Sequence, residues 1–265
     1  MKIVSWNINS LRLRLPLLEK FVELANPDVV CLQEIKVADE AFPLKKVKAL
    51  GFEHVIFSGE KSYNGVAILS KFPLSKIEMI DVENYAHKRH ISCALQTKVG
   101  EVFLHNFYVP AGGDIPDVAL NNKFDHKLKF VDWMTDYFAA QKDKKIIILG
   151  DMNIAPLEHD VWSHKQLLKI VSHTPIEVEK MTRLQESLNF IDTHRHFVDA
   201  KEKLYSWWSY RGLDPLGSNK GRRLDHIWAT SNLQDHIKSM KIYRDFRIAT
   251  QPSDHVPIQT FFNLI

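Results

Sequence analysis

Acidic, amide and histidine side chains recur where apolar runs of this 265-residue chain end, and their types suit metal-assisted hydrolysis. They are Asn7, Asn9, Glu34, Asp151, Asn153, Asp225, Asp254 and His255. Carboxylates and amides beside a histidine are what a hard metal ion and a phosphodiester require. Because these positions are scattered over the whole length, they form one site only if the predicted strands converge on a single polar cleft.

Two pairs of polar residues follow apolar runs in the same way. Asn7 and Asn9 are two positions apart at the end of the first run, and Asp151 and Asn153 follow KIIILG. In a strand, residues two apart point to the same face, and open sheets place ligand sites at such strand ends. Asn and Asp also end strands as ordinary turn residues, so either pair alone leaves both interpretations open. Two pairs in similar settings favour a site.

Glu34 follows the apolar run VVCLQ, and a carboxylate at the mouth of a buried strand needs a counter-charge. A divalent cation would supply it, since Mg²⁺ is usually held by only one or two protein carboxylates, with water and substrate completing its shell. A salt bridge to the nearby Lys36 is the alternative.

Three further residues could act on a phosphate. Asp225 lies in RRLDHIWA, and Asp254 and His255 lie in PSDHVPI. An acid beside a histidine holds the ring protonated, which makes it a good partner for a phosphate oxygen that gains charge in a transition state. The chain has 13 histidines, so a single Asp-His dipeptide is weak support. The Tyr108 hydroxyl could also bind phosphate, or could belong to a core tyrosine.

Short apolar runs alternate with helical patterns along both halves of the chain. The predicted strands are Lys2 to Ile8, Asp28 to Gln33, Phe52 to Ser58, Gly65 to Ser70, His90 to Lys98, Val102 to Val109, Lys145 to Gly150, Leu204 to Tyr210, Arg223 to Ala229, Ile237 to Tyr243 and Val256 to Phe262. The predicted helices are Pro16 to Leu24, with Leu17, Leu18, Phe21 and Leu24 on one stripe, then Asp117 to Ala140, which includes Leu120, and Glu177 to Leu188. Half the strands follow one another without a helix. This order favours an α/β fold, a four-layer α-β-β-α sandwich of two mixed sheets flanked by helices, in a single catalytic domain over residues 1–265.

Composition narrows the setting. The formal charge is +3 and the pI is about 8.7, which is compatible with a polyanionic partner and equally with an ordinary solvated surface. Cys31 and Cys93 lie in apolar strand-like runs, so we expect buried, reduced thiols. The start, MKIVSWNINS, lacks the features of a signal peptide, and no stretch has the length and apolar character of a membrane span. A cytoplasmic protein with no membrane partner is expected.

The ordered motifs SWNINSLRLR, DVVCLQEIK, NFYVP, IILGDMNIAP, YSWWSYR, GRRLDHIWA and SDHVPI resemble the exodeoxyribonuclease III family of apurinic/apyrimidinic endonucleases, in the endonuclease/exonuclease/phosphatase superfamily. The resemblance runs from Met1 to about Phe262. It implies a four-layer α/β sandwich whose active site lies at one end of the two sheets.

The resemblance also implies residue roles. Glu34 would be the principal ligand of Mg²⁺, with Mn²⁺ as a substitute, and the residues around the metal would be Glu34, Asn9, Asp151, Asn153 and Asp254. Catalytic roles would fall to Tyr108, Asp151, Asn153, Asp225, His255 and Asn7. Asp151 would orient or deprotonate the attacking water, and Asn7 and Asn153 would position the water and the phosphate. His255, oriented by Asp225, would contact that phosphate.

The implied activity is Mg²⁺-dependent hydrolysis of the phosphodiester 5′ of abasic sites in duplex DNA, which leaves a 3′ hydroxyl and serves base excision repair. Activity on blocked 3′ ends, as a phosphodiesterase or phosphatase, and 3′ to 5′ exonuclease activity are expected with it. The protein would act as a monomer at the nucleoid. Trp207 and Leu224 would wall the pocket for a base-free deoxyribose, and Arg89, Lys220, Arg222 and Arg223 are candidate phosphate contacts or else solvated loop charges.

A few positions depart from the family pattern. Ser10 stands where Gly is common, Ala111 replaces the more usual Asn or Gln, and His226 and Trp228 replace aliphatic residues. None of these changes removes a catalytic residue.

Two other classes remain as alternatives. A phosphomonoesterase of inositol polyphosphates or a sphingomyelinase-like lipid enzyme would share the metal chemistry, but YSWW and GRRLD favour the DNA-repair branch. A non-catalytic DNA-binding relative would have no reason to keep Glu34, Asp151, Asp225 and His255 together.

Overall fold

Two mixed sheets of six strands each form the centre of the molecule, in a computed structural model that describes residues 1–82, 85–211 and 214–265. The strands are β1 (Lys2–Asn7), β2 (Val29–Gln33), β3 (His54–Glu60), β4 (Tyr63–Ser70), β5 (Ser75–Glu78), β6 (His90–Thr97), β7 (Gly100–Tyr108), β8 (Ile146–Asp151), β9 (Ile191–Asp192), β10 (Asp225–Ala229), β11 (Ile237–Ile242) and β12 (Ile258–Phe262). The α-helices are α1 (Leu11–Ala25), α2 (Leu44–Ala49), α3 (Asn122–Ala139), α4 (His164–Leu167), α5 (Pro175–Ser187) and α6 (Pro215–Ser218).

The strand order is β11-β12-β1-β2-β4-β3 in the first sheet and β5-β6-β7-β8-β10-β9 in the second. Each sheet contains one parallel pair, β1 with β2 and β7 with β8, and its other pairs are antiparallel. The parallel pairs occupy corresponding central places. The carboxyl ends of β1, β2, β7 and β8 therefore provide the strand ends that the predicted site requires.

Alternating side chains separate the layers. Ile3 of β1 packs between the two sheets, whereas its neighbour Val4 packs outward against the side chains of α1, as the two-residue period of a strand dictates. On the other side, α3 and α5 cover the second sheet, for example where Phe130 and Met181 meet Ile148. The order helix, sheet, sheet, helix confirms the predicted four-layer sandwich.

Helix α1 begins earlier than the hydrophobic pattern indicated. It starts at Leu11, and Pro16 lies inside it rather than near its start. Proline cannot donate the helical hydrogen bond and crowds the preceding turn, and Arg14 accordingly leaves helical geometry, with φ −107° and ψ 16°. Leu17, Leu18 and Phe21 are buried as predicted, but Leu24 is exposed.

Helix α3 is shorter than predicted. It begins at Asn122, because the side chain of Asn121 caps it by accepting a hydrogen bond from the backbone N–H of Lys123 at 3.0 Å. Leu120, predicted on the apolar face of the helix, precedes it and is exposed.

One predicted strand is absent. The segment Leu204 to Tyr210 makes only isolated bridges, from Trp207 to Arg222 and to His255. The short elements β5, β9 and α2 had no counterpart in the prediction. β9 has two residues, too few to show a periodic pattern.

Both cysteines are free and buried between the sheets, which confirms the expectation of reduced thiols. Burial raises the pKa of the Cys93 thiol to about 12, so this sulfur is an inert core group. Among the described residues no helix is both long and apolar enough to span a bilayer.

Candidate active site

The register of the second sheet places three of the predicted catalytic residues side by side. Tyr108 at the end of β7 is paired with Asp151 at the end of β8, and Asp225 at the start of β10 is paired with the same Asp151. These neighbours are distant in sequence, and only strand pairing brings them together.

The two sheets meet at this edge through cross-sheet hydrogen bonds. Asn7 Nδ2 of the first sheet donates to Asp151 Oδ2 of the second at 2.9 Å, and also to Glu34 Oε1 at 2.9 Å. The Tyr108 hydroxyl of the second sheet donates to the same Glu34 oxygen at 2.6 Å. The structure therefore confirms the prediction that these scattered positions converge on one polar cleft.

Several residues that follow these strands adopt left-handed backbone conformations. Asn9, Glu34 and Asn153 have φ values of 46°, 50° and 53°. Asn tolerates this region, but a glutamate there carries strain on the order of 1–3 kcal/mol, and such strain concentrates at functional sites. Ser10, where the related family commonly has Gly, has φ 86° in the same turn, which explains why Gly is usual there.

His255 is held between two carboxylates. Its Nδ1 donates to Asp225 Oδ2 at 2.8 Å, and its Nε2 lies 3.6 Å from Asp151 Oδ2. Burial alone would lower the pKa of His255, but the charges of Asp225 and Asp151 raise it to about 10. The ring is therefore an imidazolium at neutral pH. Ser206 Oγ donates to the same Asp225 oxygen at 2.6 Å and fixes that carboxylate.

Burial acts on the pKa of Asp151 in the opposite direction from its effect on His255. Burial raises the pKa of Asp151 to about 7, an increase that the charge of His255 opposes and the charges of Asp225 and Glu34 support. Its Oδ1 accepts a hydrogen bond from the backbone N–H of Asn153 at 2.9 Å. Its Oδ2 accepts from Asn7 Nδ2 at 2.9 Å and from Asn153 Nδ2 at 3.2 Å, so both oxygens are held in place. A carboxylate with a raised pKa and a fixed orientation is suited to accept a proton from water.

The predicted metal-binding residues are linked to Glu34 through hydrogen-bonded neighbours. Asn7 Nδ2 joins Glu34 to Asp151, which also accepts from Asn153 Nδ2 at 3.2 Å. Asn9 Oδ1 accepts from Lys36 Nζ at 2.7 Å, and Asn9 Nδ2 donates to Asp254 Oδ1 at 3.1 Å. Lys36 sits close by, with its Nζ 2.7 Å from Glu34 Oε2, so the alternative salt bridge is also present.

The chemistry of the donor set fits a divalent cation. The ligand atoms of Asp151, Asp225 and His255 lie within 4.8 Å of one another. Because His255 is protonated and directs Nδ1 at Asp225, a cation would bind the carboxylate oxygens of Asp151 and Glu34 instead, the ligand type that Mg²⁺ prefers. Burial raises the pKa of Asp151, and the neighbouring charges of Asp225 and Glu34 raise it further, so a bound cation would stabilise the charged carboxylate.

A cavity of about 620 Å³ opens onto these groups. The predicted residues that line it are Glu34, Tyr108, Asp151, Asn153, Trp207, Lys220, Arg222, Leu224, Asp254 and His255. Asn7 and Asp225 are buried behind this lining and touch it through Asp151 and His255. Of the adjacent tryptophans, Trp207 lines the cavity and Trp208 is in the core, as expected for neighbours that point in opposite directions.

The prediction that Arg223 contacts phosphate is wrong. Arg223 is 1% exposed, and its guanidinium is shared between Asp160, at 2.8 Å, and Asp192, at 2.6 Å. A side chain paired on both sides inside the protein cannot reach a duplex. Its neighbour Arg222 lines the cavity and places its guanidinium 5.3 Å from the centre of the Trp207 ring.

Arg89 is also not a solvated loop charge. It is 5% exposed, lines a neighbouring cavity rather than the one above the catalytic groups, and lies over the ring of Tyr108 at 4.6 Å.

Sequence reasoning missed Ser206 and Trp162. Ser206 accepts hydrogen bonds from the backbone N–H groups of Leu224 and Asp225, both at 3.1 Å, so it joins the pocket wall to the Asp225 carboxylate. Its position inside YSWW, directly before Trp207, was the one available signal. Trp162 lines the cavity from an irregular segment, and nothing in its sequence surroundings marks it.

A buried carboxylate beside a histidine, at the common edge of two sheets, is the arrangement expected of a hydrolase acting on phosphate esters. Residues 4–255 match the model of the Endonuclease/Exonuclease/phosphatase family. Exodeoxyribonuclease III of Haemophilus influenzae is 37% identical to the chain over 275 aligned residues, which cover 99% of this chain and 100% of that protein.

Solved structures agree. An AP endonuclease from Archaeoglobus fulgidus matches with a TM-score of 0.91 and 30% identity, covering 100% of both chains. A 3′ phosphatase from Neisseria bound to a product DNA hairpin matches with a TM-score of 0.90 and 27% identity over 99% of both chains. The chain belongs to the Endonuclease/Exonuclease/phosphatase family and, within it, to the exodeoxyribonuclease III family of DNA repair nucleases. It is a phosphodiester hydrolase.

Proposed function

We propose that this nuclease is a Mg²⁺-dependent enzyme that hydrolyses the phosphodiester 5′ of abasic sites in duplex DNA and leaves a 3′ hydroxyl. The observation that carries the proposal is the position of Asp151, which accepts a hydrogen bond from Asn7 across the sheet junction and faces His255 Nε2 at 3.6 Å. The names of its relatives, an exodeoxyribonuclease III and an AP endonuclease, support DNA as the substrate.

Each catalytic side chain has a task that its surroundings allow. Asp151, which lines the cavity beside His255, takes a proton from the attacking water. Asn153 lies beside it and is held by a hydrogen bond from its Nδ2 to Val109 O at 2.9 Å, so it can align that water. His255 presents Nε2–H to a phosphate oxygen while Asp225 keeps the ring charged.

Mg²⁺ held by Glu34 and Asp151, when bound, would neutralise charge that accumulates on the phosphate and on the departing 3′ oxygen. Asn9 and Asp254 stand beside Glu34 as outer members of that shell. Asn7 and Tyr108 donate to Glu34 and hold its carboxylate in position. The reaction builds no covalent intermediate, so no nucleophilic serine or cysteine is required.

The cavity wall suits a nucleotide that has lost its base. Leu224 packs with Val161 and Trp207, and these apolar side chains form one side of the cavity above His255. A base-free deoxyribose costs less to extrude from the duplex than an intact nucleotide. An intact nucleotide would also have to place its base against this wall, so the cavity favours the base-free sugar. Arg222 and Lys220 at the rim supply positive charge for the flanking phosphates.

Activity on 3′-blocked ends and 3′ to 5′ exonuclease activity belong to the same proposal. The Neisseria neighbour is a 3′ phosphatase, and a terminal phosphate ester presents the same oxygens to His255 and Asp151. In this role the protein acts as a monomer with one catalytic domain, in the cytoplasm at the nucleoid.

The test is incision of a duplex with one tetrahydrofuran abasic site, in Mg²⁺ and in excess chelator. Cutting 5′ of the site in Mg²⁺ alone is expected. Asp151→Asn should lower turnover by about 10²–10⁴-fold with duplex affinity retained. No incision in Mg²⁺, or equal incision in chelator, would contradict the proposal. A second duplex with a 3′ phosphate measures the end-cleaning activity.

A further inference from the structure

A second cavity of about 540 Å³ adjoins the active-site cavity, and the mechanism above does not use it. Tyr108, Ala111 and Gly113 line both cavities, so the two are neighbours on one surface.

The second cavity contains a buried cation that forms no salt bridge with any acid in the described part of the chain. Arg89 is 5% exposed, its Nη1 donates to Tyr108 O at 3.2 Å, and its Nε has no hydrogen-bond partner among the described residues. Its guanidinium lies between two rings, 5.8 Å from that of Tyr63 and 4.6 Å from that of Tyr108. A buried, unneutralised guanidinium is costly by itself, and a phosphate would offset that cost.

The rest of the lining is aromatic and has hydrogen-bonding capacity to spare. Tyr85 stacks on His126 with 3.7 Å between ring centres, and the outward surfaces of Tyr85 and Tyr63 are exposed. His126 is 7% exposed and its Nε2 has no partner. Burial, together with the charge of Arg89, lowers the pKa of His126 to about 4, so the ring is neutral and can donate or accept one hydrogen bond.

We infer that this cavity binds an unpaired nucleotide next to the scissile phosphodiester, an assignment that rests on the proposed function. The phosphate binds Arg89, the base stacks on Tyr85 or Tyr63, and His126 Nε2 bonds to the base edge. Stacking on aromatic rings together with a cationic group is how proteins hold single-stranded bases. The one acid in the lining, Asp125, is paired with Lys129 at 2.7 Å and does not oppose the phosphate.

If the cavity holds an unpaired nucleotide, the enzyme's preference among DNA substrates should depend on the pairing of the base next to the cleavage position. Substrates with an unpaired base beside the cleavage position, such as frayed or mismatched 3′ ends and gapped duplexes, would gain contacts that a fully paired duplex cannot make. The enzyme should therefore prefer them.

The test uses two tetrahydrofuran duplexes with an unpaired 2-aminopurine, a fluorescent adenine analogue, placed directly 3′ or directly 5′ of the site. Binding is measured in chelator, so it does not depend on incision. Fluorescence should fall in at least one duplex as the base stacks. The measured quantity is the ratio of the Kd for that duplex to the Kd for a fully paired duplex, and Tyr85→Ala should raise this ratio by about tenfold. His126→Phe, which keeps the ring stack but removes Nε2, should raise the ratio less.

Phe197→Ala is the matched control, because Phe197 is a similarly exposed aromatic residue that lines neither cavity. It should leave the quenching and the ratio unchanged. Deoxyadenosine monophosphate alone tests whether a free nucleotide also fits, and weak binding lost in Tyr85→Ala would support the assignment. Unquenched 2-aminopurine in both duplexes, or an unchanged ratio in Tyr85→Ala, would overturn it even if incision in Mg²⁺ proceeds normally.

Discussion

The adjacent residues Arg222 and Arg223 should give opposite results when each is replaced by alanine. Arg223 donates from Nε and Nη2 to the two carboxylate oxygens of Asp160, both at 2.8 Å, and from Nη1 to Asp192 at 2.6 Å. Asp160, Asp192 and Arg223 are all buried, and Arg195 is the only other cation bonded to Asp160 in the described part of the chain. Arg223→Ala leaves Asp192 with the backbone N–H groups of His194 and Arg195 but without its cation, and it leaves Asp160 with the cation of Arg195 alone.

Removing one partner of a buried ion pair costs about 3–5 kcal/mol, and the bidentate geometry places Arg223→Ala in the upper part of that range. Since natural domains are stable by only about 5–15 kcal/mol, the loss should move the midpoint of urea unfolding strongly. Arg222→Ala removes a partly buried side chain whose Nη1 donates to Val171 O at 3.0 Å and to Ser172 Oγ at 2.7 Å. The loss should lower the free energy of unfolding by about 1–2 kcal/mol, less than for Arg223→Ala, while it weakens DNA binding and flattens the salt dependence of Kd.

Urea denaturation followed by tryptophan fluorescence, together with Kd measured at several salt concentrations, separates the two outcomes. The reasoning would be refuted if Arg223→Ala unfolded at the wild-type urea concentration and lost DNA affinity with a reduced salt slope. That result would mean that the guanidinium leaves its carboxylates to contact phosphate.

Three other predictions concern stability and turnover. Burial lowers the pKa of His226 to about 4, so its ring stays neutral in the folded protein over a pH range in which the unfolded chain, below about pH 6.5, binds a proton. The free energy of unfolding should therefore fall as the pH is lowered from 6.5 to 4, by up to ~1.4 kcal/mol per pH unit. In His226→Phe the midpoint of urea unfolding should depend less steeply on pH. Trp208→Ala should cost about 3–5 kcal/mol in urea unfolding, whereas Trp207→Ala should cost much less and instead reduce incision of abasic duplexes; equal stability losses would contradict the core and cavity assignments. Lys127 donates to the backbone oxygen of Asn153 at 2.8 Å and to Glu177. The charge-free double variant Lys127→Met/Glu177→Gln should be more stable than Lys127→Met, because no buried charge is left unpaired, yet both variants should have a lower kcat with little change in KM. Wild-type turnover in the double variant would argue against a positioning role for Lys127.

Most of the sheet was predictable because buried strands leave a continuous apolar record. Asp28 to Gln33 and Lys145 to Gly150 are covered on both faces. The prediction for β2 differs by one residue at its start, and the prediction for β8 differs by one residue at each end. The segment Leu204 to Tyr210 has the composition of a strand, but its backbone is used by isolated bridges to Arg222 and His255. Such pairing depends on the loops that surround the site, and local periodicity does not record it.

The role of a polar residue was harder to predict than its presence in the site. The pairing of Asp225 with His255 was predicted from the resemblance to the exodeoxyribonuclease III family, because the Asp-His dipeptides alone gave only weak support, and the structure confirms the contact at 2.8 Å. Arg223 was misjudged because it looks the same in sequence as Arg222, which lines the cavity, and only its contacts with Asp160 and Asp192, each more than thirty positions away, show that it is buried.

The catalytic residues come from distant parts of the chain, and polar contacts between the two sheets hold them in one place. Beneath the site, Gln33 Nε2 of the first sheet donates to Asn106 Oδ1 of the second at 2.7 Å, and Asn106 Nδ2 donates back to Leu32 O at 3.0 Å. Above them, Asn7 bonds to Asp151. A one-residue slip of either sheet would leave several buried polar groups unpaired, at about 1–3 kcal/mol each, so these contacts fix the register between the sheets. The same register sets the distance from Glu34 to Asp151, and the geometry of the active site is therefore determined by the packing of the core beneath it.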